Sequence, residues 1–193
     1  ALKPDYAQAH SDLGVALKDL GRLDEALVSY KQAIALKPDF AEAHNNLGNT
    51  LEELGRFEDS LASYARAIAL KPDFAEAHHN LGITQKELGR LYKAEASFKQ
   101  AIASKPDYAE AHSNLGTTLQ ELGRLDEALA SFTQAIALKS DFAEAYANLS
   151  LLVKSVRFNS SNRKLYPSLT KLLNTGNFTR PSDVAHSILS LLK

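Results

Sequence analysis

Residues 41–74 read AEAHNNLGNTLEELGRFEDSLASYARAIALKPDF, and the spacing of leucine, glycine, alanine and proline in this stretch decides the fold. Leu47, Leu51 and Leu54 recur at spacings of four and three, which puts them on one stripe of a helix. Gly55 follows, where a helix end favours a left-handed residue. A second helical pattern runs roughly from Phe57 to Lys71, with Leu61, Tyr64 and Ile68 facing inward. Acidic residues open it and Lys71 closes it, as the helix dipole favours. Pro72 stops it, because proline has no N–H to give and its ring clashes with the turn before it. Asp73 and Glu76 then match a D-x-x-E capping box for the next helix, as do Asp39/Glu42, Asp107/Glu110 and Asp141/Glu144.

Outward from this stretch the same words return every 34 residues. Pro4, Pro38, Pro72 and Pro106 keep that interval, and so do Gly14, Gly48, Gly82, Gly116 and Gly21, Gly55, Gly89, Gly123. The units are set at 7–40, 41–74, 75–108 and 109–142. Residues 1–6 read as the tail of a preceding repeat, 143–156 as the first helix of a degenerate fifth, and 157–193 as a C-terminal helical capping segment. The opening ALKPDY matches ALKPDF at 35–40 and 69–74, so a piece of a longer array is the expectation. Small residues, such as Gly48 on the first helix and Ser60 on the second, let paired backbones approach. One helical pair cannot bury its apolar stripe alone; stacked pairs can, so the expected fold is an all-α solenoid.

Composition narrows the function. The 193 residues are 45% hydrophobic and carry a formal net charge of −1, from 22 basic and 23 acidic side chains. That balance gives no pull toward nucleic acid or an anionic membrane, and neither is expected as a partner. The absence of cysteine excludes disulfides and thiolate metal sites, with a cytoplasmic setting as the default. No phosphate loop, G-x-S-x-G or H-E-x-x-H appears, so no cofactor and no enzymatic role are expected.

L-G-x-x-L, then G-x-x-x-x-A, then an aromatic, alanine and proline at fixed offsets in 34 residues resemble a tetratricopeptide repeat over residues 1–155. The resemblance implies a right-handed superhelix whose first helices line a concave groove that holds an extended peptide or partner protein. One departure is His10, His44, His78 and His112, then Tyr146, at the fourth position, where the family has a large aromatic. The wording H-x-N-L-G resembles the repeat domain of the O-GlcNAc transferase family. There, the resemblance implies, sixth-position asparagines form a ladder that holds substrate backbone. Carried over by position, the rungs are Asp12, Asn46, Asn80, Asn114 and Asn148. Asp12 departs, since it accepts hydrogen bonds but has none to donate.

The residues themselves support a binding face. Positions two, six, nine and thirteen share a side opposite the leucines, reading Glu42, Asn46, Asn49, Glu53 in the second unit and Glu76, Asn80, Ile83, Glu87 in the third. An amide offers both donors and an acceptor, so a column of amides can hold an extended chain without reading its side chains. Asp12, Asn46, Asn49, Asn80, Asn114 and Asn148 are therefore the candidate peptide-binding residues. Asp19, Glu53, Glu87 and Glu121 make this face acidic, which favours a neutral or basic peptide. The alternative for each amide is a bond to a neighbouring helix that fixes repeat geometry.

Other recurrences have plainer readings. The fourth-position histidines lie one helix pair apart, about 10 Å, too far to share one zinc, and read as interhelical packing. Arg22, Arg56, Arg90 and Arg124, and Lys37, Lys71, Lys105 and Lys139, read as solvated charges near helix C-termini. Three roles remain: a peptide-binding scaffold, an accessory domain of a larger enzyme such as a glycosyltransferase, and a homo-oligomer formed through repeat ends or the C-terminal helix.

Overall fold

The computed structural model describes residues 4–155, and the capping segment expected at 157–193 lies outside them. Every described element is an α-helix. A first compact unit spans Ala1–Ser104 and holds α1 (Pro4–Asp19), α2 (Leu23–Leu36), α3 (Ala41–Glu53), α4 (Phe57–Leu70), α5 (Ala75–Glu87) and α6 (Leu91–Ser104). A second begins at Lys105 and holds α7 (Ala109–Glu121), α8 (Leu125–Leu138) and α9 (Ala143–Ser155). Within the first unit each helix packs on the next, and α3 also touches α1 and α5. The second packs α7 on α8 and places α9 against both. Both units are therefore stacked helical hairpins of the all-α solenoid class.

Short joints make the hairpins. Gly21, Gly55, Gly89 and Gly123 all have φ of 70–75°, the left-handed conformation that ends a first helix. The arginine after each glycine is bonded back to the helix it leaves: the Arg56 N–H donates to the Leu51 carbonyl at 2.8 Å. Inside each hairpin a ring covers the other recurrent glycine. A Cβ built on Gly48 would stand 2.5 Å from the Tyr64 ring, and Gly14, Gly82 and Gly116 meet Tyr30, Phe98 and Phe132 at 2.6–2.7 Å. The glycine's partner is thus the ring, rather than the small residue at the Ser60 position. All four rings are fully buried.

Between hairpins the apolar stripe closes the stack. Leu47 and Leu51 of α3 join Leu17, Ala26, Leu27 and Tyr30 in one cluster, which buries the first hairpin's open side. A second kind of cluster sits at the joints, where Phe40 packs with Ala7, Ala33 and Ala43, and Phe74 with Ala41, Ala67 and Ala77. Leu13, the counterpart of buried Leu47, is 49% exposed, because no described hairpin precedes α1.

The capping-box expectation is corrected at these joints. The N-cap residues of α3, α5 and α7 are Phe40, Phe74 and Tyr108, and none makes a side-chain cap bond. Drawing the aromatic into the joint cluster starts the helix one residue later than an aspartate cap would, leaving Asp39, Asp73 and Asp107 outside it. Two other groups secure the joint. The lysine ahead of each aromatic lies over its ring, at 4.6–4.9 Å in all four joints. Lys71 and Lys139 also reach back to Glu42 and Glu110. The fourth-position histidines close on the same joints: the imidazole Nε2 atoms of His44, His78 and His112 lie 3.2, 2.9 and 3.1 Å from the carbonyls of Pro38, Pro72 and Pro106. They hold a turn, where interhelical packing was expected.

The arginine column also differs from expectation. Arg22, Arg56 and Arg124 pair with Glu25, Asp59 and Glu127 in the first turn of the second helix, instead of with a C-terminus. Lys93 stands at the corresponding position of the third unit, so Arg90 turns to Glu58 of the preceding hairpin. Such exposed pairs contribute little to stability.

Candidate functional site

The first helices α1, α3 and α5 present one polar face, and it is indented. A cavity of about 570 Å³, open to solvent, is lined by Lys18, Asn49, Glu52, Glu53, Phe57, Asn80 and Glu87. All seven belong to the first unit. Their positions follow from helical register: residues three and four apart on α3 share a face, and the 34-residue period sets the same face of α5 beside it.

A hydrogen-bond network ties Asn49, Glu52 and Asn80 of the cavity to one another and to neighbouring residues. The Asn80 amide nitrogen donates to Asn49 Oδ1 at 2.9 Å and to Asn45 Oδ1 at 3.1 Å, bridging two repeats. From the second helix, the buried Tyr64 hydroxyl lies 2.7 Å from both Asn49 Oδ1 and Glu52 Oε2. Thr84 Oγ donates to the Asn80 carbonyl, as Thr50 and Thr118 do to those of Asn46 and Asn114. Lys18 pairs with Glu53 at 2.7 Å.

Charge on this face is unbalanced. Three glutamates line the cavity against one lysine, which is already engaged. Burial pushes the Glu52 carboxyl above its ordinary value, and the charges of Glu87 and Glu53 push the same way against the Tyr64 and Thr84 hydrogen bonds. A raised folded-state value means the folded chain holds this proton more tightly than the unfolded one. The group's favourable contribution is complete below about pH 4.5 and is lost as pH rises through the raised value. Glu52→Gln is therefore expected to melt higher than the parent at pH 7, with the gap shrinking toward pH 4. Melting curves at both values check this, and an equal or lower melting temperature at pH 7 would contradict it.

The six candidate residues have different surroundings. Asn49 and Asn80 meet at the cavity. Asn46 is half-buried on α3, and no described side chain bonds its amide. Asp12 is exposed and accepts a bond from Gln8 of its own helix at 2.7 Å. Asn114 and Asn148 are half-buried at the same repeat position in the second unit. Sequence reading missed Asn45, Glu52 and Tyr64. Asn45 stands in the doublet next to Asn46, 35 residues before Asn80, one step off the period. Glu52 has lysine or glutamine at its counterparts Lys18, Lys86 and Gln120, so no recurrence marked it. No helix among the described residues is long and apolar enough to cross a membrane.

Comparison with known proteins follows the same geometry. The profile described as "TPR repeat" matches residues 16–55 and 48–89, and that described as "Tetratricopeptide repeat" matches 73–141. No curated protein matches the sequence. Among solved structures, a crystal structure of MamA is 27% identical, over 73% of this chain and 82% of that one, with a TM-score of 0.68. YrrB, described as a TPR protein with an unusual peptide-binding site, is 19% identical over 94% and 89%, at 0.66. The first TPR of Spaghetti (RPAP3), bound to the HSP90 peptide SRMEEVD, is 20% identical over 63% and 97%, at 0.61.

Proposed function

Because the chain belongs to the tetratricopeptide repeat family, we propose that it is a scaffold that holds an extended peptide or partner segment on the polar face of its first helices. The observation that carries this reading is the open cavity at Asn49 and Asn80, on a face whose amides recur with the repeat. Two relatives of the same fold were solved as peptide binders, which supports the role without fixing the ligand.

The amides hold the ligand by its backbone. Asn80 spends its N–H groups on Asn45 and Asn49, so it meets a peptide N–H through its carbonyl oxygen. Asn46 keeps both functions for the ligand, and Asn114 and Asn148 stand at the same repeat position in the second unit. Asp12 can only accept. This division differs from a uniform ladder like the one inferred for the O-GlcNAc transferase family, in which every rung binds alike. The glutamates favour a neutral or basic ligand over an acidic one such as SRMEEVD.

The test is the variant Asn46→Ala, Asn80→Ala, Asn114→Ala against short capped glycine–alanine peptides and their backbone N-methylated forms. Binding to the parent is expected to weaken about tenfold or more on N-methylation and by a similar factor in the variant. Unchanged affinity in a variant that stays helical would overturn the backbone-holding role.

A further inference from the structure

We propose that the Tyr64 hydroxyl is a positioning group: it sets whether Asn80 offers a peptide an acceptor or a donor, according to whether Glu52 carries a proton. The inference rests on the peptide-binding reading above and adds its regulation by pH.

One hydrogen stands among three oxygens. The Tyr64 hydroxyl has a single proton to give, yet Asn49 Oδ1 and Glu52 Oε2 both lie 2.7 Å from its oxygen. Two oxygens at that distance repel unless a hydrogen lies between them. With Glu52 protonated the chain closes: the carboxyl donates to the Tyr64 oxygen, Tyr64 donates to Asn49, and Asn80 donates to Asn49 and Asn45. The Asn80 carbonyl is then left for a peptide N–H. With Glu52 ionised, its proton gone to water through the open cavity, Tyr64 donates to the carboxylate, the stronger acceptor. Asn49 Oδ1 then meets a bare hydroxyl oxygen. A half-turn of the amide relieves this, because its two ends share one shape and differ in what they donate. The turned Asn49 N–H donates to Tyr64, and Asn80 and Asn45 turn with it to keep a donor in each contact. Asn80 now presents its N–H groups, which meet a peptide carbonyl.

The surroundings suit this role. Packing needs only the ring, since Phe98 and Phe132 cover Gly82 and Gly116 without a hydroxyl. Burial does most to raise the Glu52 carboxyl above its ordinary value of 4.5. The charges of Glu87 on α5 and Glu53 on α3 add to the rise, and hydrogen bonds with Tyr64 of α4 and Thr84 of α5 oppose it. Lys18 of α1 stands in the same wall, paired with Glu53. Burial and the Glu52 charge raise the Tyr64 hydroxyl, so it keeps its own proton throughout.

The experiment uses the full chain and a capped glycine–alanine peptide with its backbone N-methylated form, neither of which titrates. Calorimetry at about pH 4.5 and about pH 8 gives the loss of affinity on N-methylation at each. In the parent this loss is expected to shrink about threefold from the lower pH to the higher, as Asn80 changes from acceptor to donor. Glu52→Gln, whose amide N–H donates to Tyr64 as a protonated carboxyl does, should keep the larger loss at both. Tyr64→Phe keeps the ring over Gly48 and cuts the link, so its loss should be the same at both. An equal loss at the two pH values in the parent overturns the switch and leaves the backbone-holding reading standing. A pH-dependent loss that survives in Tyr64→Phe overturns the assignment to Tyr64, and one that survives in Glu52→Gln overturns the assignment to Glu52. Binding of neither peptide at either pH overturns the backbone-holding reading itself, and the switch with it.

Discussion

Truncating Tyr64 to alanine is expected to lower the unfolding free energy by about 3–5 kcal/mol, the range for removing a fully buried aromatic. The ring is 0% exposed and fills the space above Gly48, so deletion leaves a void between α3 and α4 that two joined helices cannot readily collapse. Its hydroxyl also serves the binding face. Losing it strips Asn49 and Glu52 of the one donor they share, and Asn49 is one of the two residues that tie Asn80 to the hairpin before it. Urea unfolding followed by circular dichroism measures the loss. Tyr92→Ala is the control, since Tyr92 is 76% exposed and its removal should change stability by no more than about 0.5 kcal/mol. A Tyr64 variant as stable as the Tyr92 variant would mean that the ring does not seal the hairpin.

The second large effect runs against helix propensity. Gly48→Ala exchanges a poor helix former for the best one, a gain of about 1 kcal/mol in an exposed helix. Here the added methyl would meet the Tyr64 ring at 2.5 Å, and a ring with no exposure has nowhere to go. Overpacking of this kind costs about 1–3 kcal/mol, so the net expectation is destabilisation despite the better propensity. The cause is separable in the Tyr64→Ala background. There the obstacle is gone, and the same Gly48→Ala change should be neutral or stabilising, a reversal of sign that a double-mutant cycle reads directly. An identical penalty with and without the ring would exclude the contact as its source.

These effects show where the sequence was legible. The hairpins were, because glycine at a left-handed φ and proline at a joint are demands of the local backbone. The apolar stripe was as well, since Leu47 and Leu51 pack where their spacing places them. The capping box was misread for a tertiary reason: burial of Phe40 moved the helix start, and local pattern carries no account of that competition. The cavity was half legible. Asn49 and Asn80 were found by register, but the Asn45 bridge depends on how far one hairpin rotates against the next, which no count along the chain supplies. Glu52 was missed for the opposite reason: a residue that occurs once in a repeated array is invisible to a search for repetition.

The nearest-neighbour stacking of the first unit has a kinetic side. Since most of its contacts join consecutive helices, a hairpin can form without waiting for distant chain to arrive, and assembly should be quick for the chain's length. Opening follows the reverse rule. A hairpin held on both flanks must break two seams, and one at an edge only one. The α3–α4 hairpin is held on both flanks, so amide deuteration should invade it late, and the segment bearing Asn45, Asn49 and Glu52 keeps its geometry.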